Sequence, residues 1–222
     1  HNIMLKLGDI FPDFCVETTH GSFTFHEWFG ERWGMLVSHP ADFTPVCTTE
    51  LGRMAQLIGE FGKRNVKVIA LSCDDVATHH AWIKDIKNYA GVSGDWPYPI
   101  IADPKRELAS KLGMLDPVEV DVAGAPLTCR SVFIIGPDKK LKASILYPAT
   151  TGRNFDEILR LIDSLQLTLD HPLATPVDWK HGGQCMIQPS LPKVEADKLF
   201  PGHTVVKVPS GKEYIRLTDE PK

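Results

Sequence analysis

The sequence predicts an α/β fold: a mixed sheet flanked by helices, followed by a small β- and loop-rich C-terminal domain. Three observations carry this prediction. Short apolar runs suited to buried strands alternate with segments of helical periodicity through the first half of the chain. Two further apolar runs, Ser131–Ile135 and Leu141–Tyr147, follow one another across the turn-forming stretch Gly136-Pro-Asp-Lys-Lys140 and read as an antiparallel hairpin. From about Leu169 the texture changes, with seven prolines between positions 172 and 221, a Gly182-Gly183 pair and only short apolar runs such as Val205–Val208. The expected domains are therefore residues 1–169 and 170–222.

Taken in order, Gly8-Asp-Ile-Phe-Pro12 reads as an opening loop, followed by strands around Phe14–Glu17 and Ser22–Phe25 that turn at His20-Gly21. Cys15 reads as a half-buried strand residue. Met35, Leu36 and Val37 suit a buried strand, and Pro40 and Pro45 exclude regular structure after it. A helix is expected to begin near Cys47 and run to about Gly62, because Leu51, Met54, Ala55, Ile58 and Phe61 recur on one face. Val66–Leu71 reads as a strand and Val76–Tyr89 as a helix opened by Asp74-Asp75. Cys73, at the end of that strand, has no activating neighbour in sequence and reads as structural. His79 and His80 point about 100° apart on a helix, poorly placed to share a metal ion, and read as surface residues. After a Gly/Pro/Asp loop come a strand at Pro99–Ala102 and a helix at Lys105–Leu112, while Asp116–Pro126 shows no strong period. Beyond the hairpin, Asn154–Leu167 is amphipathic through Phe155, Ile158, Leu159 and Ile162.

Composition narrows the functional classes. The chain has 222 residues, 43% of them hydrophobic, enough to bury a core. A net charge of −4 without a basic block argues against nucleic acid or an anionic membrane as the main partner. No apolar segment is long enough to span a bilayer. Five cysteines, at 15, 47, 73, 129 and 185, show neither C-x-x-C nor zinc-like pairing, which points to a reducing, cytoplasmic setting.

Chemistry concentrates at the strand–loop–helix from Gly34 to Arg53. It puts Cys47 in the first turn of a helix, at the carboxyl end of a strand where open α/β sheets carry ligands. Unpaired N–H groups and the positive end of the helix dipole favour the thiolate, lowering a cysteine pKa from about 8.5 toward 7 or below. Thr44 lies three residues before the sulfur in a segment stiffened by Pro40 and Pro45. Glu50, one turn on, reads either as the holder of a nearby arginine or as a favourable acid in the first helical turn.

The motif Pro40-x-x-x-Thr44-x-x-Cys47 resembles the active-site signature of the peroxiredoxins, thiol-dependent peroxidases on a thioredoxin-like fold. The longer string from Ser38 to Gly52 is similar to the one-cysteine, type-6 branch. Further likeness runs through Gly113-Met-Leu-Asp-Pro117, Leu146–Asn154 and Ala174–Lys180, nearly the whole chain. The resemblance implies that Cys47 attacks hydrogen peroxide or an organic hydroperoxide, that Thr44 and Arg130 contact the peroxide, that Pro40 shields the sulfur, and that His39 lies near it. Arg153 would support the site from behind. No metal or organic cofactor is implied. The implied partners are an external thiol such as glutathione, in some relatives with a glutathione transferase, and a second copy of the chain, against which the C-terminal domain would pack. Two-cysteine peroxiredoxins carry a resolving Cys-Pro pair shortly before a tryptophan, where this chain has Thr175-Pro176 ahead of Trp179. Some type-6 relatives are credited with phospholipase activity through G-x-S-x-G. The corresponding stretch is Gly30-Glu-Arg-Trp-Gly34, with Arg32 at the serine position, so that reading is weak although His26 and Asp138 match the other two positions. A chaperone-like holdase has no signature of its own.

Overall fold

The structure is a computed structural model and describes residues 4–222. The chain divides into two compact units, 1–155 and 156–222. The boundary falls earlier than the expected 169/170, because the helix Phe155–Asp170 goes with the second unit from Asp156 on.

The first unit is built on one seven-stranded mixed sheet. In chain order its elements are β1 (Cys15–Thr18), β2 (Gly21–Thr24), α1 (Phe25–Phe29), β3 (Trp33–Ser38), α2 (Pro45–Gln56), α3 (Ile58–Lys63), β4 (Val66–Ser72), α4 (Val76–Ala90), β5 (Ile100–Ala102), α5 (Glu107–Lys111), β6 (Leu115–Val120), β7 (Pro126–Thr128), β8 (Arg130–Ile135) and β9 (Leu141–Tyr147). The sheet order is β2-β1-β5-β4-β3-β8-β9. Strands β3, β4 and β5 are parallel, as buried β-α-β connections require, and β8 returns antiparallel to β3 before the hairpin to β9. All six residues of β3 and of β8 are buried, so the continuous apolar runs mark central strands. Phe11, Phe25, Phe29, Leu36, Ile69, Ile101 and Phe133 belong to one cluster of the core.

The departures from expectation are local. Phe25 opens α1, which buries Phe25 and Phe29, and does not end the second strand. Cys15 is exposed. The long helix is two: α2 starts at Pro45, with Thr44 as N-cap, and breaks at Leu57 before α3, a segment in which Gly59 and Gly62 weaken helical preference. The aperiodic stretch after Leu115 forms a separate two-stranded sheet, β6 with β7, whose pairing shifts register between Asp116 and Val120. Asp75 caps α4 by accepting the Thr78 N–H at 2.8 Å. His79 is fully buried while His80 is exposed, so only one of the adjacent pair faces solvent. Helices α2 and α4 meet at Gly52, where a Cβ would come within 2.9 Å of the Ala90 Cβ.

The second unit comprises α6 (Phe155–Asp170), β10 (Leu173–Ala174), β11 (Cys185–Ile187), α7 (Lys193–Leu199), β12 (Thr204–Val205) and β13 (Arg216–Thr218). Its four short strands form one antiparallel sheet, β10-β11-β13-β12. Leu173, Trp179, Cys185, Ile187, Ala196 and Phe200 form its own small core. Among the described residues no helix is long and apolar enough to cross a membrane.

Candidate active site

Cys47 sits at the third position of α2 and is fully buried. Pro45 occupies the first helical position, where its missing N–H costs nothing, and fixes the backbone for the turn that follows. Thr44 as N-cap makes no side-chain bond to the first-turn N–H groups. Its hydroxyl donates to the Ala41 carbonyl at 2.6 Å, which leaves the oxygen's lone pairs as acceptors. Pro40 is buried in the same loop.

The sulfur receives one side-chain hydrogen bond from across the sheet. Arg130, the first residue of β8, directs Nη1 to Cys47 Sγ at 3.2 Å and to Glu50 Oε1 at 2.6 Å. Its Nε and Nη2 both donate to the Ala149 carbonyl, at 2.9 and 2.6 Å, so the guanidinium cannot swing away. Glu50 is the hub of the cluster. Arg153 donates Nε to Oε2 at 2.7 Å and Nη2 to Oε1 at 3.0 Å, with its own main-chain N–H on Oε2 at 2.8 Å. Glu50 thus holds Arg153 by a two-pronged pairing, and Arg130 takes one oxygen and the thiol. The remaining Arg153 nitrogen, Nη1, ties the Ser38 and Ser131 carbonyls at the ends of β3 and β8.

Contact within this buried cluster shifts both Glu50 and Arg130. Burial works against the Glu50 carboxylate, yet the Arg153 bonds and charge, with Arg130 behind them, hold it below the ordinary glutamate value. Burial likewise opposes the Arg130 charge, and the neighbouring Cys47 sulfur and Glu50 outweigh it, so its pKa rises.

On the other side of the loop lies a second polar cluster. His39 Nε2 is 2.8 Å from Asp42 Oδ1, and His79 Nδ1 is 2.5 Å from Asp42 Oδ2. Burial pushes the Asp42 carboxyl up, but hydrogen bonds from His39 and His79 lower it to about 2. His39, Asp42 and Asp74 have ligand-type atoms within 4.8 Å of one another. Both Asp42 oxygens face imidazoles, and Asp74 Oδ2 accepts the Asp42 N–H and the Ser72 hydroxyl, so these carboxylate oxygens are already engaged within the protein, while His39 Nδ1 is buried without a partner. Sequence reasoning missed Asp42 and His79. The one available signal was that His79 falls three residues before Trp82 on the apolar face of α4.

The hydrolase constellation lacks its serine, Arg32 standing in that place, and His26 and Asp138 take other partners. Asp138 pairs with Lys142 at 2.8 Å and accepts the Lys140 N–H, whereas His26 Nδ1 is 4.0 Å from Asp13 and its Nε2 is buried with no partner.

Residues 7–144 match the AhpC/TSA family. The chain is 62% identical to peroxiredoxin-6 of Gallus gallus over 221 residues, 98% of this chain and 99% of that one. The chain belongs to the one-cysteine, type-6 peroxiredoxins. It is 59% identical to the Homo sapiens peroxiredoxin-6, with 98% of each chain covered. The solved structure of a cysteine-to-serine mutant of peroxiredoxin 6 from Arenicola marina superposes with a TM-score of 0.97 at 62% identity, covering 98% of this chain and 99% of that one. A yeast mitochondrial 1-Cys peroxiredoxin, described with a thiol-resolving mechanism through glutathione and thioredoxin systems, superposes with a TM-score of 0.89 at 42% identity and covers 97% of this chain and 100% of its own. This peroxiredoxin therefore has the thioredoxin-like fold of its family and is a thiol peroxidase.

Proposed function

We propose that Cys47 reduces hydrogen peroxide and organic hydroperoxides by direct attack of its thiolate on one peroxide oxygen. A sulfur–oxygen bond forms and the oxygen–oxygen bond breaks. The sulfur gives up two electrons to become a sulfenic acid, and the second oxygen leaves as hydroxide or alkoxide and takes up a proton. Arg130 Nη1, 3.2 Å from the sulfur, is the observation that carries this reading: one donor held on Glu50 and Ala149 serves both the thiolate and the charge developing on the departing oxygen. Thr44, its own hydrogen spent on Ala41, accepts the peroxide O–H, and Pro40 keeps bulk water from the sulfur. Glu50 and Arg153 hold Arg130 in place.

An external thiol completes the cycle. It condenses with the sulfenic acid to a mixed disulfide with loss of water, and a second thiol releases Cys47. The yeast relative supports glutathione in this role. Five free thiols support a reducing compartment, the cytoplasm. A homodimer is supported by β9, an edge strand with Leu146 60% exposed, which would pair with its own copy across a two-fold axis, the second unit packing against that partner.

Stopped-flow oxidation of the wild type and Cys47→Ser with several peroxides tests the reading. Peroxide consumption with added glutathione is expected for the wild type alone, and equal turnover by both proteins would overturn it.

A further inference from the structure

Helix α4 carries His79 on a fully buried position, where both ring nitrogens face groups that accept hydrogen bonds. Nε2 lies 3.0 Å from the Ile101 carbonyl oxygen on β5, and Nδ1 lies 2.5 Å from Asp42 Oδ2. A carbonyl oxygen only accepts, so Nε2 carries a hydrogen. An ionised carboxylate also only accepts, so Nδ1 carries one as well. Should the Nδ1 proton move across to Asp42, the total is unchanged. The Asp42–His79 pair holds one proton more than a carboxylate facing a neutral imidazole. The same carboxylate takes His39 Nε2–H on its other oxygen, leaving His39 Nδ1 buried and without a partner.

This proton sits under the loop that bears the peroxide-contacting residues. Asp42 lies between Pro40 and Thr44, its N–H bound to Asp74 Oδ2 at 2.9 Å. Phe43, next to it, has a φ of 55°, a left-handed conformation that a bulky residue keeps only when its surroundings impose it. The His39 ring packs 5.1 Å from Trp82, whose indole N–H donates to Thr48 Oγ1, beside Cys47. The charged and titratable groups around His79 are Asp42 and His39 on the loop, Asp74 after β4 and Asp75 at the start of α4, and β5 contributes the Ile101 carbonyl.

We propose that His79 is a positioning residue for the peroxidase reaction: holding both ring protons, it clamps Asp42, and through Asp42 it fixes His39 and the loop that presents Pro40 and Thr44. Loss of the second ring proton turns one of its two hydrogen bonds into a lone pair facing an acceptor, and the clamp opens. The inference deepens the function proposed above and rests on it for the roles of Pro40 and Thr44, but its protonation claim stands independently.

The first test is nitrogen-15 NMR of histidine-labelled wild-type protein at pH 7.5, with His79 assigned by comparison with His79→Asn. Two protonated ring nitrogens are expected for His79; a single-proton tautomer, whether its Nδ1 lone pair is free or faces a proton that has passed to Asp42, overturns the proposal. This readout is unaffected by failure of the peroxidase reading. The second test is the rate constant for Cys47 oxidation by hydrogen peroxide. His79→Phe, which fills the space without donating, is expected to lower it at least about fivefold. His79→Asn, whose amide restores a donor toward Asp42, is expected to recover part of that loss, and exposed His80→Asn to leave the rate unchanged. A folded His79→Phe protein reacting at the wild-type rate, or no recovery in His79→Asn, would overturn the positioning role. Should His79→Phe fail to fold, the NMR result and the His79→Asn rate against wild type still decide.

Discussion

Cys47 and Cys73 are both buried thiols, and each follows one of two neighbouring parallel strands, β3 and β4. Their surroundings are opposite. Around Cys73 burial dominates and, with Asp103 and Asp74 adding negative charge, pushes the thiol up to about 11 against the pull of Arg106. Cys47 is buried more completely, yet it lies in the first turn of a helix with a guanidinium hydrogen-bonded to the sulfur. Burial alone makes a cysteine inert. What separates the two is a charged donor held in contact, and holding it requires the Glu50–Arg130–Arg153 cluster. Such a cluster is weak evidence for stability, since buried ions carry a desolvation cost of several kcal/mol each. Its consequence here is geometric: three residues from α2, β8 and the loop after β9 fix one nitrogen beside one sulfur.

The largest expected effect breaks the comparison outright. Cys47→Ser should lower peroxide turnover by at least about a thousandfold, as removal of a nucleophile does, whereas Cys73→Ala should stay within about a factor of two. A Cys73 variant as damaged as Cys47→Ser would show that the two thiols act together. Next in size, Arg130→Ala removes the donor while leaving the sulfur, and should cost about 2 kcal/mol of transition-state stabilisation, roughly thirtyfold in rate. Arg130→Lys should recover little, because an ammonium cannot reach the Ala149 carbonyl with two donors while also spanning Glu50 and Cys47. Stopped-flow rates within a factor of two of wild type for Arg130→Ala would remove the arginine from the mechanism.

A pH titration sharpens the contrast between the clusters on the two sides of the loop. Asp42, at about 2, and Glu50, also lowered, are both carboxyls whose folded pKa lies below the unfolded one. Their contribution is therefore complete above the ordinary carboxylate range and is lost as pH falls through that range toward 2. For Asp42 the loss is about 2 kcal/mol between roughly pH 5 and pH 1. Urea unfolding at pH 7, 4 and 3 should show stability falling with acidity, and Asp42→Asn should flatten that slope. An unchanged slope would mean that the Asp42 carboxylate is not held by its two imidazoles.

Much of this was legible in the sequence, for physical reasons that differ by residue. The central strands read clearly because burial on both faces demands continuous apolar runs, as in Met35–Val37 and Ser131–Ile135. Cys47 was legible because proline and helical periodicity bracket it, and Arg130 because the family likeness singled it out. The Asp42–His79 contact was not. It joins a loop to a helix across thirty-seven positions, and nothing in the local pattern distinguishes a histidine that meets a carboxylate from one that meets water. The break at Leu57 was hidden for a related reason, since the apolar face continues through it to Phe61. The division of oxygens within the arginine cluster depends on register between β8 and the loop after β9, which no single segment encodes.

The smallest expected effect is an absence of change, and it extends the comparison to Cys185. This thiol is fully buried in the core of the second unit, its Sγ 3.8 Å from the Gly183 carbonyl, and burial followed by the Glu220 charge raises its pKa. By the criterion that separates Cys47 from Cys73, Cys185 belongs with the inert thiols: hidden, protonated and without a cationic donor. The position where two-cysteine relatives carry their resolving cysteine holds Thr175, whose hydroxyl is hydrogen-bonded to Ser164 at 2.6 Å. Sulfenic acid formed at Cys47 must then wait for a thiol from outside and, with peroxide in excess, advances to the sulfinic form. Peroxide-treated protein should run unchanged on non-reducing gels, while mass spectrometry finds one and then two oxygen atoms added at Cys47. A peroxide-dependent crosslink between Cys47 and Cys185 would show that the second unit exposes its buried thiol during turnover, and would move this chain out of the one-cysteine mechanism.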